Sequence, residues 1–203
     1  MKKYNGIILL LFTFITMIFS GCSSNNSNNT NTTNISTAHI QTTKNNPSTL
    51  IVYYSYSGTT KRVAEHLQSV TDGDLYEITL TEPYSGSDND VSDRVFDERN
   101  HNQMPKLSGE LPDVSKYDRI LIGTPVWNDS IANPVISFLE KTDFSNKAVA
   151  PFWTYITNQG HTEKDFSKQT RNGNLKNGLP LRSANSIADD KLDSILVNWI
   201  NTL

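Results

Sequence analysis

Cysteine is almost absent from this 203-residue chain, since Cys22 is the only one. A disulfide needs two cysteines, so none can form within the chain. Beyond position 22 there is also no thiol that could act as a catalytic nucleophile. Cysteine chemistry is therefore excluded as the basis of function in the rest of the chain.

No charge of one sign dominates the chain. It has 18 Lys and Arg residues against 21 Asp and Glu residues, a net charge of −3. Loss of Lys2 and Lys3 with a signal peptide leaves 16 basic against 21 acidic residues, a net charge of −5. A mildly acidic domain argues against nucleic acid as a partner and against peripheral binding to anionic lipids.

Two glycine-rich phosphate-binding patterns are missing as well. Neither G-x-x-x-x-G-K-[ST], typical of ATPases and GTPases, nor G-x-G-x-x-G, typical of dinucleotide-binding proteins, occurs among the 10 glycines. The sequence instead contains a β-branched and aromatic run from Leu50 to Tyr54, a hydroxyl-rich turn, and an amphipathic segment with Val63, Ala64, Leu67 and Val70 on one face. This pattern predicts a strand that leads through a tight turn into a helix.

The turn has the composition of an anion site. The first N–H groups of a helix have no partners within the helix, and the helix dipole adds partial positive charge there. Gly58 lets the backbone approach an anion closely, and hydroxyl donors surround it at Ser55, Ser57, Thr59 and Thr60. These features favour a single phosphate bound without a metal. On spacing alone, hydroxyls that only cap the helix remain an alternative.

The run Ser55-Tyr56-Ser57-Gly58-Thr59-Thr60 resembles the phosphate loop of the flavodoxin family, approximately [ST]-x-[ST]-G-x-T after the first strand. The resemblance extends over residues 49–203. It implies an α/β fold of the flavodoxin-like type, a doubly wound five-stranded parallel sheet in a three-layer α/β/α arrangement. It also implies that the ligand of this loop is the 5′-phosphate of FMN.

Alternating strand and helix patterns follow. Strands are predicted over 75–80, 118–123, 147–153 and, from a weaker pattern, 175–181, and the alternation indicates a parallel sheet covered on both faces. Pro151 is expected near a strand end. Asn133 is expected to cap a helix that has Pro134 at its first position. The C-terminal helix is predicted from a core-facing apolar stripe of Leu192, Ile195, Leu196, Trp199, Ile200 and Leu203, preceded by Asp189 and Asp190.

The loop after the third predicted strand is a second candidate site. In parallel sheets ligands bind beyond the carboxyl ends of strands, where the strand order reverses. Gly123-Thr124-Pro125-Val126-Trp127 resembles the flavodoxin-like segment G-[ST]-P-x-[WY], which runs along the flavin ring. The resemblance implies that Trp127 stacks on the ring and that backbone groups from Thr124 to Asn128 meet its N5 edge. A core aromatic is the alternative for Trp127.

The loop after the fourth predicted strand is a third candidate. Thr154, Tyr155, Gln159 and Gly160 are the expected contacts to the pyrimidine side of the ring, although the loop has fewer glycines than is usual in the family. We interpret the adjacent His161 as a solvated loop histidine, because no Asp or Ser accompanies it at a recognisable spacing.

The charged segment from Asp88 to Asn102 is predicted to be a surface helix within the long connection 82–116. For Arg94, Arg99 and His101, solvated surface is favoured over contact with the flavin edge or a substrate.

The N-terminus has the layout of a bacterial lipoprotein signal. Lys2 and Lys3 precede an apolar stretch over 7–19 that is short for a membrane span, followed by Ser20-Gly21-Cys22. We predict a signal peptide over 1–21, lipidation at Cys22, a disordered Asn/Thr/Ser-rich tether over 22–48 and a flavodoxin-like domain over 49–203. Phe19 departs from the lipoprotein pattern, in which an aliphatic residue is expected three positions before the cysteine. An ordinary cleaved signal or an uncleaved anchor is the alternative.

Together these features predict an FMN-binding, flavodoxin-like lipoprotein that transfers electrons on the extracytoplasmic face of a bacterial cell membrane. Its expected partners are redox proteins or small electron acceptors, and the lipid anchor is its only membrane contact. A carrier is favoured over an FMN-dependent reductase of quinones or other small acceptors, because no nicotinamide signature is visible. A flavin-free interaction module with the same fold is a further alternative. A solute-binding lipoprotein normally needs two domains, which this length does not supply.

Overall fold

A doubly wound sheet forms the centre of the computed structural model, which describes residues 47–203. Its strands are β1 (Thr49–Tyr53), β2 (Asp74–Glu77), β3 (Arg119–Trp127), β4 (Ser130–Ile131), β5 (Ala148–Tyr155), β6 (Asn174–Leu175) and β7 (Leu179–Arg182). The order is β2-β1-β3-β5, and both β6 and β7 pair with β5. All of these ladders are parallel, while β4 is antiparallel to β3. The predicted sheet with five parallel strand positions is confirmed, and its order reverses between β1 and β3.

Five helices cover the sheet in the described part of the chain: α1 (Thr59–Thr71), α2 (Asp88–Asn100), α3 (Asn133–Lys141), α4 (Thr162–Gln169) and α5 (Asp189–Ile200). Successive side chains of a strand point to opposite faces, so β1 contributes to two separate cores. Ile51 packs with residues of α1 and α5, whereas Leu50 and Val52 pack with residues of α3. The three-layer arrangement is therefore as predicted. The predicted signal peptide, Cys22 and nearly all of the tether lie outside the described residues.

The C-terminal helix agrees closely with its prediction. It starts at Asp189, and Leu192, Leu196 and Trp199 are buried against the sheet. Ile195, Ile200 and Leu203 are partly buried beside the same core. An apolar stripe of this kind forms a core contact because the sheet supplies a large apolar face for it.

The third strand is longer than the sequence pattern predicts. It continues past Gly123 to Trp127, and the chain then reverses through Asn128 and Asp129, whose φ angles are 46° and 61°. Trp127 pairs with Ser130 across this two-residue turn. Left-handed residues suit such a hairpin because their twist matches that of the strands. Thr124–Trp127 is therefore strand, not loop.

Pro151 lies in the middle of β5, opposite Ile122 of β3, and the expectation of a strand end is wrong. The predicted last strand is also wrong, because it is two short strands. β6 pairs with β5 up to Val149, and β7 begins pairing at Phe152. Pro151 thus faces the interruption between β6 and β7, where its missing N–H costs no ladder hydrogen bond.

The start of α3 differs from its prediction. Ala132 is the N-cap, so Asn133 is the first helical residue and Pro134 the second, each one position later in the helix than predicted. The buried Asn133 side chain donates from Nδ2 to the Val95 carbonyl at 3.2 Å and to Glu98 Oε2 at 2.8 Å. It connects α3 to α2 and does not cap its own helix.

Candidate functional site

A cleft of about 460 Å³ lies at the carboxyl ends of β1, β3 and β5. Three predicted loops meet there, contributing Ser57 and Thr59, then Pro125, Val126 and Trp127, then Thr154 and Tyr155. The cleft is at the point where the strand order reverses, which is the expected ligand position in this type of sheet. The fold therefore brings about half of the predicted site residues together.

The first loop presents an uncapped helix end to the cleft. Gly58 is the N-cap of α1 with φ +87°, and within the described residues no side chain caps the first-turn amides. A Cβ atom at position 58 would meet nothing within 4 Å, so the space in front of the loop is open. Ser57 Oγ and Thr59 Oγ1 are 3.2 Å apart beside it. Free amides and hydroxyl donors at a helix N-terminus suit an anion.

Other residues of the first loop have different surroundings. Thr60 is buried, and its Oγ1 is 2.9 Å from Thr154 Oγ1, which joins the first loop to the end of β5. Ser55 Oγ is buried without a hydrogen-bond partner in residues 47–203, and Ser55 lines a neighbouring cavity beside Glu77 and Tyr84. The exposed Tyr56 is in edge contact with Trp127.

Trp127 is half-buried and forms the centre of an aromatic cluster. Its ring makes edge contacts with Tyr84, Tyr54 and Tyr56, with centroid distances of 5.0, 5.5 and 5.9 Å. It lines the cleft and also a smaller cavity of about 240 Å³ between Tyr56 and α2. The side chain therefore packs against core residues and also forms a wall of the cleft.

Thr124 and Asn128 do not line the cleft. Thr124 is buried, and its Oγ1 accepts a hydrogen bond from Ala132 N at 3.0 Å and donates to the Pro125 carbonyl at 2.8 Å. Asn128 occupies the exposed hairpin turn and borders the smaller cavity. The two residues shape the hairpin that carries Trp127.

Gln159 and Gly160 also lie outside the cleft lining. Gln159 Oε1 accepts a hydrogen bond from Trp153 Nε1 at 3.2 Å. Gly160 has φ +57°, and a Cβ atom there would come within 2.0 Å of the Asp129 carbonyl oxygen. His161 is exposed, and its backbone N–H donates to the same carbonyl at 2.6 Å. The end of the third loop thus packs directly on the hairpin turn. Position 160 must be glycine because a side chain there would collide with the backbone of that turn.

Sequence reasoning missed two stretches of the cleft, 156–158 and 183–186. Asn185 Nδ2 donates to Thr59 Oγ1 at 2.8 Å, so the second stretch contacts the first loop. The stretch 183–186 directly follows the carboxyl end of β7. Ligands bind beyond the carboxyl ends of parallel strands, so the position after the last strand is the signal that could have identified it. Ile156 is 76% exposed at the cleft, an unusual position for a large apolar side chain.

The arginines of α2 are structural residues rather than solvated surface. Arg94 Nε donates to Glu98 Oε1 at 2.8 Å, and its guanidinium lies 4.1 Å from the centroid of the Tyr84 ring. Arg99 is half-buried and donates to backbone carbonyls of the Trp127 hairpin. His101 is exposed beside Asp97, as expected. The surface interpretation is therefore wrong for Arg94 and Arg99, because both side chains are partly buried in contacts within the protein.

Burial governs ionisation in the aromatic cluster. Desolvation raises the pKa of the Tyr84 phenol above its ordinary value, and its hydrogen bond to Glu98 raises it further. Desolvation also raises the pKa of Tyr54. Both phenols are therefore neutral at physiological pH, and Tyr84 donates to Glu98.

Residues 47–203 contain neither a cluster of metal-ligating side chains nor a membrane-spanning helix. No group of three or more His, Cys, Asp or Glu side chains there could hold a metal ion. None of the helices in the same range has the length and apolar character to cross a membrane.

A family model described as flavodoxin matches residues 48–203, the whole of the sheet and its helices. The chain belongs to the flavodoxin family. The cleft formed by the first loop, the Trp127 hairpin and the end of β5 lies within the matched residues. No curated protein matches the chain significantly.

Solved structures agree with this assignment. A flavoprotein from Lactobacillus acidophilus NCFM, solved in complex with FMN, is 30% identical, with a TM-score of 0.62 over 66% of this chain and 93% of that chain. A protein from Bacteroides eggerthii DSM 20697 is 29% identical, with a TM-score of 0.66 over 78% of this chain and 100% of that chain. Oxidised flavodoxin 2 from Bacillus cereus is 22% identical, with a TM-score of 0.50 over 76% and 96%, and it supports the fold alone.

Proposed function

We propose that this flavodoxin domain binds FMN noncovalently and transfers electrons. The observation that carries the proposal is the first loop, where an uncapped helix N-terminus and two hydroxyls face an open cleft at the switch point of the sheet. The Lactobacillus acidophilus relative in complex with FMN supports the choice of ligand.

The cleft residues suit the two ends of such a ligand. Ser57, Gly58 and Thr59 would hold the phosphate, because their donors can satisfy its oxygens without a metal. Trp127 and Tyr155 would flank the flat ring, with Thr154 near its polar edge. FMN, when bound, supplies the redox chemistry, and the protein orients it and sets its potentials.

The charge of the lining favours a carrier over a reductase. None of the described residues that line the cleft is an Asp, Glu, Lys, Arg or His. A reductase that protonates its acceptor gains from a positioned general acid, and among the described lining residues only the Tyr155 phenol resembles one. An FMN-dependent reductase remains the second candidate, with quinones or other small acceptors as substrates.

Absorbance of the purified domain tests the proposal. We expect residues 49–203 to be yellow as isolated, or to bind FMN when the apoprotein is titrated with it. The bound flavin should be reduced by dithionite and reoxidised by an external acceptor. A colourless domain that fails to bind added FMN would instead identify a flavin-free interaction module.

We also propose that the domain is anchored to the extracytoplasmic face of the bacterial membrane through a diacylated Cys22. The basic, apolar and small-residue segments before Cys22 support this proposal. Two acyl chains are sufficient for stable anchoring, where one chain is marginal.

The Cys22→Ser variant tests the anchor. We expect it to lose incorporation of labelled fatty acid and either to leave the membrane fraction or to accumulate as an uncleaved precursor. Fractionation, gel mobility and lipid labelling of the full chain measure these outcomes. A matched Ser24→Ala variant should behave as wild type. Wild-type labelling in Cys22→Ser would contradict the lipoprotein proposal.

A further inference from the structure

Arg99 connects α2 to the hairpin that carries Trp127. Its Nη2 donates to the carbonyls of Ile131 at 3.0 Å and Trp127 at 3.1 Å, and its Nη1 donates to the carbonyl of Asn128 at 3.3 Å. Its Nε donates to Asn133 Oδ1 at 2.8 Å, at the start of α3. One planar guanidinium therefore holds three carbonyls of a single tight turn, which its fixed fork of donors allows.

The guanidinium carries out this role without a carboxylate partner. No Asp or Glu oxygen in residues 47–203 lies within 4.0 Å of it. The neighbouring Glu98 accepts hydrogen bonds from Arg94, Tyr84 and Asn133 instead. Arg99 thus brings a half-buried positive charge that no direct ion pair neutralises. Burial lowers its pKa, while Asp165 and Glu98 act in the opposite direction.

The position of this charge relates it to the cleft. The Trp127 carbonyl belongs to the strand end whose side chains line the cleft. The hairpin turn is fixed on its other side by His161, whose N–H bonds to the Asp129 carbonyl. Arg99 supplies the corresponding contacts from the α2 side. A cation directly behind one wall of a cleft stabilises negative charge that develops within it.

We propose that Arg99 is a positioning residue that fixes the Trp127 hairpin and favours the reduced, negatively charged form of a flavin in the cleft. This inference rests on the proposed function. Two effects follow from it. Loss of the hydrogen bonds loosens the ring wall and weakens the binding of any flavin, with or without a phosphate. Loss of the charge makes the midpoint potential of the bound flavin more negative.

Two substitutions separate these effects. Arg99→Gln removes the charge and most donors, whereas Arg99→Lys retains the charge but cannot reach three carbonyls with one ammonium group. Arg171→Gln, which removes an exposed positive charge from a loop, controls for net charge. Ser87→Ala removes the capping box of α2 without touching the hairpin, and it controls for weakening of the helix.

The experiment measures dissociation constants of the apoproteins for FMN and for riboflavin, and midpoint potentials with FMN bound. We expect Arg99→Gln to weaken both flavins by a similar factor of about ten or more and to lower the potential. Arg99→Lys should weaken both flavins while keeping a potential near that of wild type. Both controls should retain wild-type affinity and potential.

Each contrary result has a defined meaning. Affinities and potential in Arg99→Gln equal to those of Arg171→Gln would overturn this inference and leave FMN binding intact. If Arg99→Gln does not fold, unchanged affinity for both flavins in Arg99→Lys overturns the positioning role. A wild type that binds no flavin overturns the proposed function together with this inference.

Discussion

FMN should bind to the apoprotein far more tightly than riboflavin, and removal of two hydroxyls should erase most of that difference. The change is Ser57→Ala combined with Thr59→Ala. Each charge-assisted hydrogen bond to a phosphate is worth about 1.5–3 kcal/mol. Losing two of them should weaken FMN binding by about two to four orders of magnitude. Titration of both flavins into both proteins measures the effect.

The structure determines which hydroxyls belong in this test. Thr60 pairs with Thr154 and is buried, so its removal would also disturb the junction between the first loop and β5. Ser57 and Thr59 line the cleft itself. Riboflavin should be nearly indifferent to the double change, and Ser194→Ala on α5 should alter neither affinity. Equal affinity of wild type for FMN and riboflavin would mean that the loop binds no phosphate.

Trp127→Ala should weaken FMN and riboflavin by the same large factor, because the tryptophan lines the part of the cleft proposed for the ring and lies outside the proposed phosphate loop. Burying an aromatic side chain is worth about 1.5–3 kcal/mol, and an aromatic pair adds about 0.5–1.5 kcal/mol. Loss of roughly 2–4 kcal/mol corresponds to roughly thirtyfold to a thousandfold weaker binding. Flavin fluorescence, normally quenched by a stacked tryptophan, should rise in the remaining complex.

Trp127→Ala changes the aromatic cluster as well as the cleft, and a second variant separates the effect on stability from the effect on flavin binding. Trp127 also contacts Tyr54 and Tyr84, so its truncation should lower the free energy of unfolding. Trp127→Phe keeps an aromatic ring and most of these contacts, and it should recover most of the stability and part of the affinity. If Trp127→Ala loses stability but binds both flavins normally, the residue belongs to the core alone.

Local patterns predicted the first loop, and the alternation of strand and helix patterns predicted a parallel sheet covered on both faces. The tight turn from Ser55 to Thr60 needs a glycine and hydroxyl side chains at neighbouring positions. These residues are close together in the chain, so the sequence alone shows them. The stripe from Leu192 to Leu203 likewise depends only on helical periodicity. The predicted position of Pro151 at a strand end was wrong. A proline fits in the middle of β5 because β6 and β7, which lie far away in the chain, leave a gap opposite it.

Two contacts that the sequence did not predict, those of Arg99 with the hairpin and of Asn185 with the first loop, join segments far apart in the chain. Arg99 is 28 residues from Trp127 in the chain, and Asn185 is 126 residues from Thr59. Their partners are backbone carbonyls or hydroxyls that any sequence contains. Such residues have no local signature, because only the assembled layers bring donor and acceptor within 3.5 Å.

The sequence by itself determined the class of fold, the position of the phosphate loop and the ligand chemistry that this loop suits. Each of these depends on the residue types that a strand, a turn or a helix end requires locally. Only the tertiary structure decided which hydroxyls line the cleft, that Thr60 and Thr124 are buried outside its lining, and that Arg99 supports the Trp127 hairpin. The physical reason is that a side chain's role depends on the groups packed around it, and packing between α2, the hairpin and β5 joins segments far apart in the chain.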